Sequence, residues 1–112
     1  MNISVRQSEG FTILDAKGKI TIGAGDVALR EAIQGALDAG SQKIVVNLKD
    51  VSTIDSSGIG ELVSAYTSAS NRGAKLALIS LPPKVQDILQ ITQLVTVFDI
   101  FDDEDEAISS MG

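Results

Sequence analysis

The 112-residue chain contains no cysteine and no histidine. The first absence rules out a disulfide framework, a thiolate metal site and a cysteine nucleophile. The second removes the usual general base and the commonest metal ligand. No uncharged run approaches the roughly 20 residues needed to span a bilayer, and Met1 to Gly10 carries neither a basic n-region nor an apolar h-region. The chain therefore reads as cytoplasmic, with no membrane insertion. Basic residues are also scarce: nine Lys and Arg stand against fifteen Asp and Glu, a net charge of −6. That sign is wrong for a phosphate-backbone binder and no basic cluster interleaved with aromatics occurs, so nucleic acid is not expected as a partner. A basic protein surface suits the charge better. No cofactor and no metal are expected.

Apolar residues make up 44% of the sequence, enough for one ordinary domain to bury a single core. There is no internal repeat, no low-complexity tract and no linker, so residues 1–112 form one unit. Ile3 and Val5 alternate with polar neighbours, "SEG" turns, and Phe11 and Ile13 begin a second strand reaching Ile20, which predicts an antiparallel hairpin. A helix is expected from about Asp26 to Ala39, with Leu29, Ile33, Ala36 and Leu37 on one face, Asp26 as its N-cap and Gly40 as its stop. "KIVVNL" (43–48) is apolar on both parities, which suits a central strand buried on both faces. A second helix over about 57–71 carries Ile59, Leu62, Val63, Tyr66 and Ala69 on one stripe and ends at Gly73. "KLALIS" (75–80) reads as a strand, Pro82-Pro83 as the start of a short helix with Val85, Ile88 and Leu89, "VTVFDIF" (95–101) as a last strand and "DEDEAISSM" as a C-terminal helix. Alternation of strand and helix from residue 43 implies right-handed crossovers. The fold class is α/β: a mixed β-sheet, antiparallel hairpin plus parallel strands, packed with about four α-helices.

In such a sheet, partners are met at the carboxyl ends of the strands, where the following helices point their N-termini. "IDSSGIGELVSAY" (54–66) lies at such a point. Asp55, Ser56 or Ser57 can cap the helix, and Gly58 and Gly60 can allow close packing. Capping uses one side chain, however, and leaves a neighbouring serine free at the positive end of a helix. A phosphate there adds about −1.5 to −2 charge yet meets unpaired N–H groups and a favourable dipole. The site tolerates modification while its surface changes greatly.

"DVSTIDSSGIGELVSAY" followed by "RGAKLALISLPPKVQDILQITQL" resembles the bacterial anti-sigma factor antagonists, which are built as a STAS (sulphate transporter and anti-sigma factor antagonist) domain. The likeness covers nearly the whole chain. It implies that Ser56, the first serine after the aspartate, accepts a phosphoryl group from an anti-sigma factor that is also a serine kinase. The unmodified form would bind that partner and free the sigma factor, phosphorylation would end binding, and a serine phosphatase would reset the cycle. The expected partner surface comprises Thr21, Gly23, Gly25, Asp26, Asp55, Ser56, Ser57 and Gly58, together with the exposed side of helix 57–71. One departure stands out: where the family often reads G-E-L-D, this chain reads "GKITIGAGD". Lys19 and Thr21 take those places, and Asp26 is the candidate substitute acid.

The Gly23-Ala24-Gly25 stretch lacks the spacing of a phosphate loop and reads as a tight turn. Asp99 and the acidic run 102–106 lack EF-hand spacing and read as a solvated face and helix start. Tyr66 is expected in the core. An enzyme built on Asp55 with Ser56 or Ser57 would need a base that local spacing does not supply, so no catalytic residue is assigned. The alternative to a phosphoswitch is a constitutive interaction subunit of a stressosome-like or lipid-transport complex.

Overall fold

The computed structural model describes residues 1–111. Five strands form one sheet in chain order: β1 (Asn2–Ser8), β2 (Phe11–Ile20), β3 (Lys43–Ile54), β4 (Lys75–Ile79) and β5 (Asp99–Phe101). The β1–β2 pair is antiparallel, as the hairpin pattern predicts, and every later pair is parallel. Four helices follow the strands: α1 (Gly25–Asp38), α2 (Ser56–Asn71), α3 (Pro83–Ile91) and α4 (Glu104–Met111).

The continuous apolar runs are explained by helices on both faces of the sheet. Along β3 and β4, Ile44, Val46, Leu48, Leu76 and Leu78 meet Leu29 and Ile33 of α1, Leu62 of α2 and Leu89 of α3 in one core. Their alternate neighbours Val45, Ala77 and Ile79 join Phe11, Ile13, Ala107 and Met111 under α4. Strand side chains point alternately to opposite faces, so a strand covered on both sides has no polar parity to show. Arg6 on β1 ties α4 down, pairing with Glu104 at 2.5 Å and with Asp15 of β2 at 2.5 Å. The guanidinium, and to a lesser degree Asn47, hold Asp15 below the usual carboxylate range, against the opposing effect of burial.

Three boundaries differ from expectation. β3 does not stop near Leu48 but runs to Ile54, because Lys17, Gly18, Lys19 and Ile20 of β2 pair with Asp50, Val51, Thr53 and Ile54 across two register shifts. Buried Val51 and Ile54 hold this extension to the core. Only the last three residues of "VTVFDIF" are strand: Gln93 takes a left-handed backbone, Leu94–Thr96 form a 3-10 turn, and pairing begins at Asp99. Within that stretch Phe98 is buried and meets Tyr66 edge-to-face, with ring centroids 5.6 Å apart. Tyr66 is thus partly buried against the core. Finally, α1 starts at Gly25, and Asp26 is not its cap; Ala24 holds that position, with no side-chain cap.

Candidate functional site

Ile20 and Ile54 are paired at the carboxyl ends of two adjacent parallel strands. The β2–α1 loop (residues 21–24) and the start of α2 therefore leave the sheet side by side. Asp55 joins them. Its backbone N–H donates to Ile20 O at 3.3 Å, its Oδ1 accepts from Gly58 N–H at 2.9 Å, and its Oδ2 accepts from Ile22 N–H at 3.0 Å. One carboxylate thus caps the helix and fixes a loop 33 residues away in sequence. The Gly58 donor, and then the Ile22 donor, hold Asp55 below the usual carboxylate range. A carboxylate stabilised in its charged form by two backbone donors is a poor base for a neighbouring hydroxyl.

Close approach dictates two glycines. A Cβ on Gly58 would collide with the carbonyl oxygen of Ile20 and come within 2.7 Å of Ile54 Cγ1. A Cβ on Gly25 would run into Lys19 O and lie 2.8 Å from Ile20 Cα. The first turns of both α1 and α2 thereby lean on the end of β2. Gly60 differs: a Cβ there meets nothing within 4 Å, so the expected packing role belongs to Gly58 and not to Gly60.

Because Asp55 does the capping, neither serine does. Ser56 is the first residue of α2 and is exposed, while Ser57 is half-buried. Of the first-turn donors, Gly58 N–H goes to Asp55 Oδ1 and Ile59 N–H to Asp55 O at 2.9 Å. Those of Ser56 and Ser57 lie ahead of them, at the end of the helix that bears partial positive charge. Thr21 is half-buried, and its carbonyl accepts from Asp26 N–H at 3.1 Å, which closes the loop. Gly23 is exposed at the loop tip, whereas Gly25 is buried. Asp26 is also buried, with Oδ1 accepting from Val27 N–H at 2.8 Å. The tight seat of Gly25 starts the helix one residue early and turns Asp26 inward, away from the exposed rim. Beyond the first turn, Arg30 of α1 reaches Glu61 of α2 at 2.9 Å.

One residue of this corner escapes the motif. Ile22 is 75% exposed although its backbone is held by Asp55. Its only sequence signal is an isolated apolar side chain between Thr21 and Gly23, inside a stretch that otherwise reads as a turn. Among the described residues, no cluster of three or more His, Cys, Asp or Glu side chains is arranged to hold a metal ion, and no helix is long and apolar enough to cross a membrane.

The mixed sheet and the D-S-S-G helix start define a small α/β module that displays free hydroxyls at a helix N-terminus, on the carboxyl edge of its sheet. A family model described as "STAS domain" matches residues 2–107, and the chain belongs to the STAS domain family. It is 30% identical over 100 residues to the anti-sigma-B factor antagonist of Bacillus subtilis, covering 89% of this chain and 90% of that one. A crystal structure from Thermotoga maritima, provisionally assigned as an anti-sigma factor antagonist, superposes with a TM-score of 0.89 at 28% identity, over 96% of this chain and 92% of the other. The Bacillus cell fate determinant SpoIIAA in its phosphorylated form superposes with a TM-score of 0.76, over 99% of this chain and 100% of that one. At 19% identity the latter likeness is one of fold. The resemblance carried by D-S-S-G-I-G is thus matched by relatives along almost the whole chain.

Proposed function

We propose that this chain is an anti-sigma factor antagonist whose binding is switched off by phosphorylation of Ser56. The observation that carries the proposal is the division of labour at the start of α2: Asp55 caps, and Ser56 is left exposed with its hydroxyl unused. The partner is an anti-sigma factor with serine kinase activity, which transfers the γ-phosphoryl group of ATP to Ser56 Oγ and releases ADP. The serine proton passes to a base on the kinase, since Asp55 is engaged by backbone donors. A serine phosphatase hydrolyses the ester and restores the binding form. The fold carries the new charge because the anion sits at a helix N-terminus. Binding fails because a partner covering Ser56 would have to bury a dianion without a paired cation.

The test is to incubate the protein with ATP and each anti-sigma factor kinase of its own genome and locate the modified residue by mass spectrometry. Wild type and Ser57→Ala should gain roughly 80 Da, the mass of one phosphoryl group, and Ser56→Ala should gain nothing. A gain that persists in Ser56→Ala and vanishes in Ser57→Ala would move the switch to the second serine. In titrations against the same partner, Ser56→Asp should weaken binding by about 2 kcal/mol, roughly thirtyfold, with Ser56→Ala near wild type. Equal affinities for all three proteins would favour the constitutive subunit instead.

A further inference from the structure

The Ser56 corner also shows how a partner would be recognised. Exposed single apolar residues are ordinary on protein surfaces, but most sit on elements whose other side is packed. Ile22 is different. It projects from a four-residue loop that makes no use of it for folding, and it is 75% exposed. The loop is nevertheless fixed at three points: Ile22 N–H on Asp55 Oδ2 at 3.0 Å, Asp26 N–H on Thr21 O at 3.1 Å, and Gly25 pressed against the end of β2. Its two following neighbours, Gly23 and Ala24, are exposed and small, so little stands between the Ile22 side chain and an approaching surface. The residue that holds Ile22 is the one directly preceding Ser56. An apolar side chain is thus presented on a fixed backbone that is bonded to the residue preceding the exposed hydroxyl.

We infer that Ile22 is the apolar anchor of the partner interface, inserted into an apolar recess on the anti-sigma factor beside the surface that receives Ser56, and that Asp55 is the positioning residue that holds it there. The inference rests on the function proposed above and adds to it the chemistry of the contact. Preordering matters because an anchor held in place before binding loses little conformational freedom on docking. Central, desolvated side chains of this kind carry a disproportionate share of binding energy. The arrangement also gives phosphorylation a second point of action: a hydrated dianion on Ser56 stands next to the one side chain that must shed its water, so the two cannot be covered together.

The experiment is calorimetric titration of the anti-sigma factor kinases of the same genome into wild type, Ile22→Ser, Ile22→Leu, Asp55→Ala and Ser56→Asp. Burying an isoleucine on binding is equivalent to a factor of roughly ten to a hundred in affinity. Ile22→Ser should lose that much, and Ile22→Leu should stay within about threefold of wild type, as volume-conserving swaps do. Ile22→Ser should also make the heat-capacity change of binding less negative, which a purely polar role would not do. Its melting temperature should equal wild type, because the side chain supports nothing in the fold. If wild type binds but Ile22→Ser binds equally well while Ser56→Asp is weakened, the anchor is refuted and the phosphoswitch stands. Failure of wild type to bind any of these kinases refutes the function and the anchor together. A second copy of this chain is the competing occupant: concentration-dependent dimers of wild type that Ile22→Ser dissolves, with partner affinity unchanged, would assign Ile22 to self-association and overturn the inference.

Discussion

Two helices of this protein begin at the carboxyl edge of the same sheet, and they begin differently. At α2, Asp55 supplies both a cap and a tie to the adjacent loop, and the first two helical residues are hydroxyl-bearing. At α3, Pro82 occupies the cap position with no side-chain bond, and the first turn, Pro83 to Gln86, contains no hydroxyl. The α3 corner has space instead. A cavity of about 140 Å³ opens there between Ser80, Leu81, Leu89, Val95, Ile100 and Phe101. Ser80 is held in a left-handed backbone with its hydroxyl on Asp102 O at 3.1 Å, so the serine of this corner is already engaged. Topology makes both corners eligible to meet a partner. What separates them is whether a serine hydroxyl is left unbonded: at α2 the cap is Asp55 and Ser56 stays free, whereas at α3 Ser80 is tied to Asp102 O.

The contact that brings α2 onto β2 is the most sensitive point of the Ser56 corner. Gly58→Ala places a Cβ against a backbone carbonyl that cannot rotate away, and should cost about 3 kcal/mol or more in denaturant-unfolding stability. Gly60→Ala, two residues on in the same helix, should be neutral or stabilising by up to about 1 kcal/mol, since the site is open and alanine is the better helix former. If the two variants unfold alike, the close approach of α2 to β2 is not what specifies this corner.

A smaller effect is expected at Asp55. Alanine removes the cap and the loop tie together and should lower the melting temperature measurably. The two N–H groups use different oxygens of Asp55, and asparagine replaces one of these with an NH₂ donor, so it can serve Gly58 or Ile22 but not both in this geometry, and Asp55→Asn should melt between wild type and Asp55→Ala. The acid limb carries the sign. Asp55 and Asp15 both ionise more readily in the folded protein than in the unfolded chain. Below the usual carboxylate value of about 4 the unfolded state therefore binds more protons, and stability falls as pH drops towards the lowered folded values. Asp55→Asn should flatten part of that fall in melts collected from pH 5 downward. An unchanged slope would mean that the two backbone donors do not favour the charged carboxylate.

At the α3 corner a substitution should change little. Ser80→Gly relieves a positive φ but gives up the bond to Asp102 O, two terms of about 1 kcal/mol each with opposite sign. Stability should change by less than about 1 kcal/mol, and neither modification of Ser56 nor partner affinity should move. A change in partner affinity would show that the α3 corner belongs to the interface after all.

Much of this architecture is written locally. The hairpin, the apolar faces of α1 and α2 and the proline start of α3 each follow from spacing within one element, and so does the hydroxyl pair at 56 and 57. The errors lie where distant residues decide. Lys49 and Asp50 interrupt the apolar run of β3, and only the edge of β2 pairing beside them carries the strand to Ile54. Val95 and Val97 have the side chains of a strand, yet the turn at Gln93 leaves both exposed on a 3-10 connection. Asp26 looks like a cap because nothing in its neighbourhood reveals that Gly25 must fit against Lys19 O. Ile22 gains its meaning only from an acceptor on another element.

The strand order has a consequence for how the chain can be made. Since β1 to β5 lie side by side in the order in which they are synthesised, no strand has to be threaded between two that are already paired. Each new unit docks on the free edge left by the one before it. Sequence neighbours are thus spatial neighbours across the sheet, and the entropy of loop closure stays low at every step. The β2–β3 pairing and the start of α2 are all encoded before Gly73, so the corner that carries Ser56 can assemble on a growing chain while the last third is still to come.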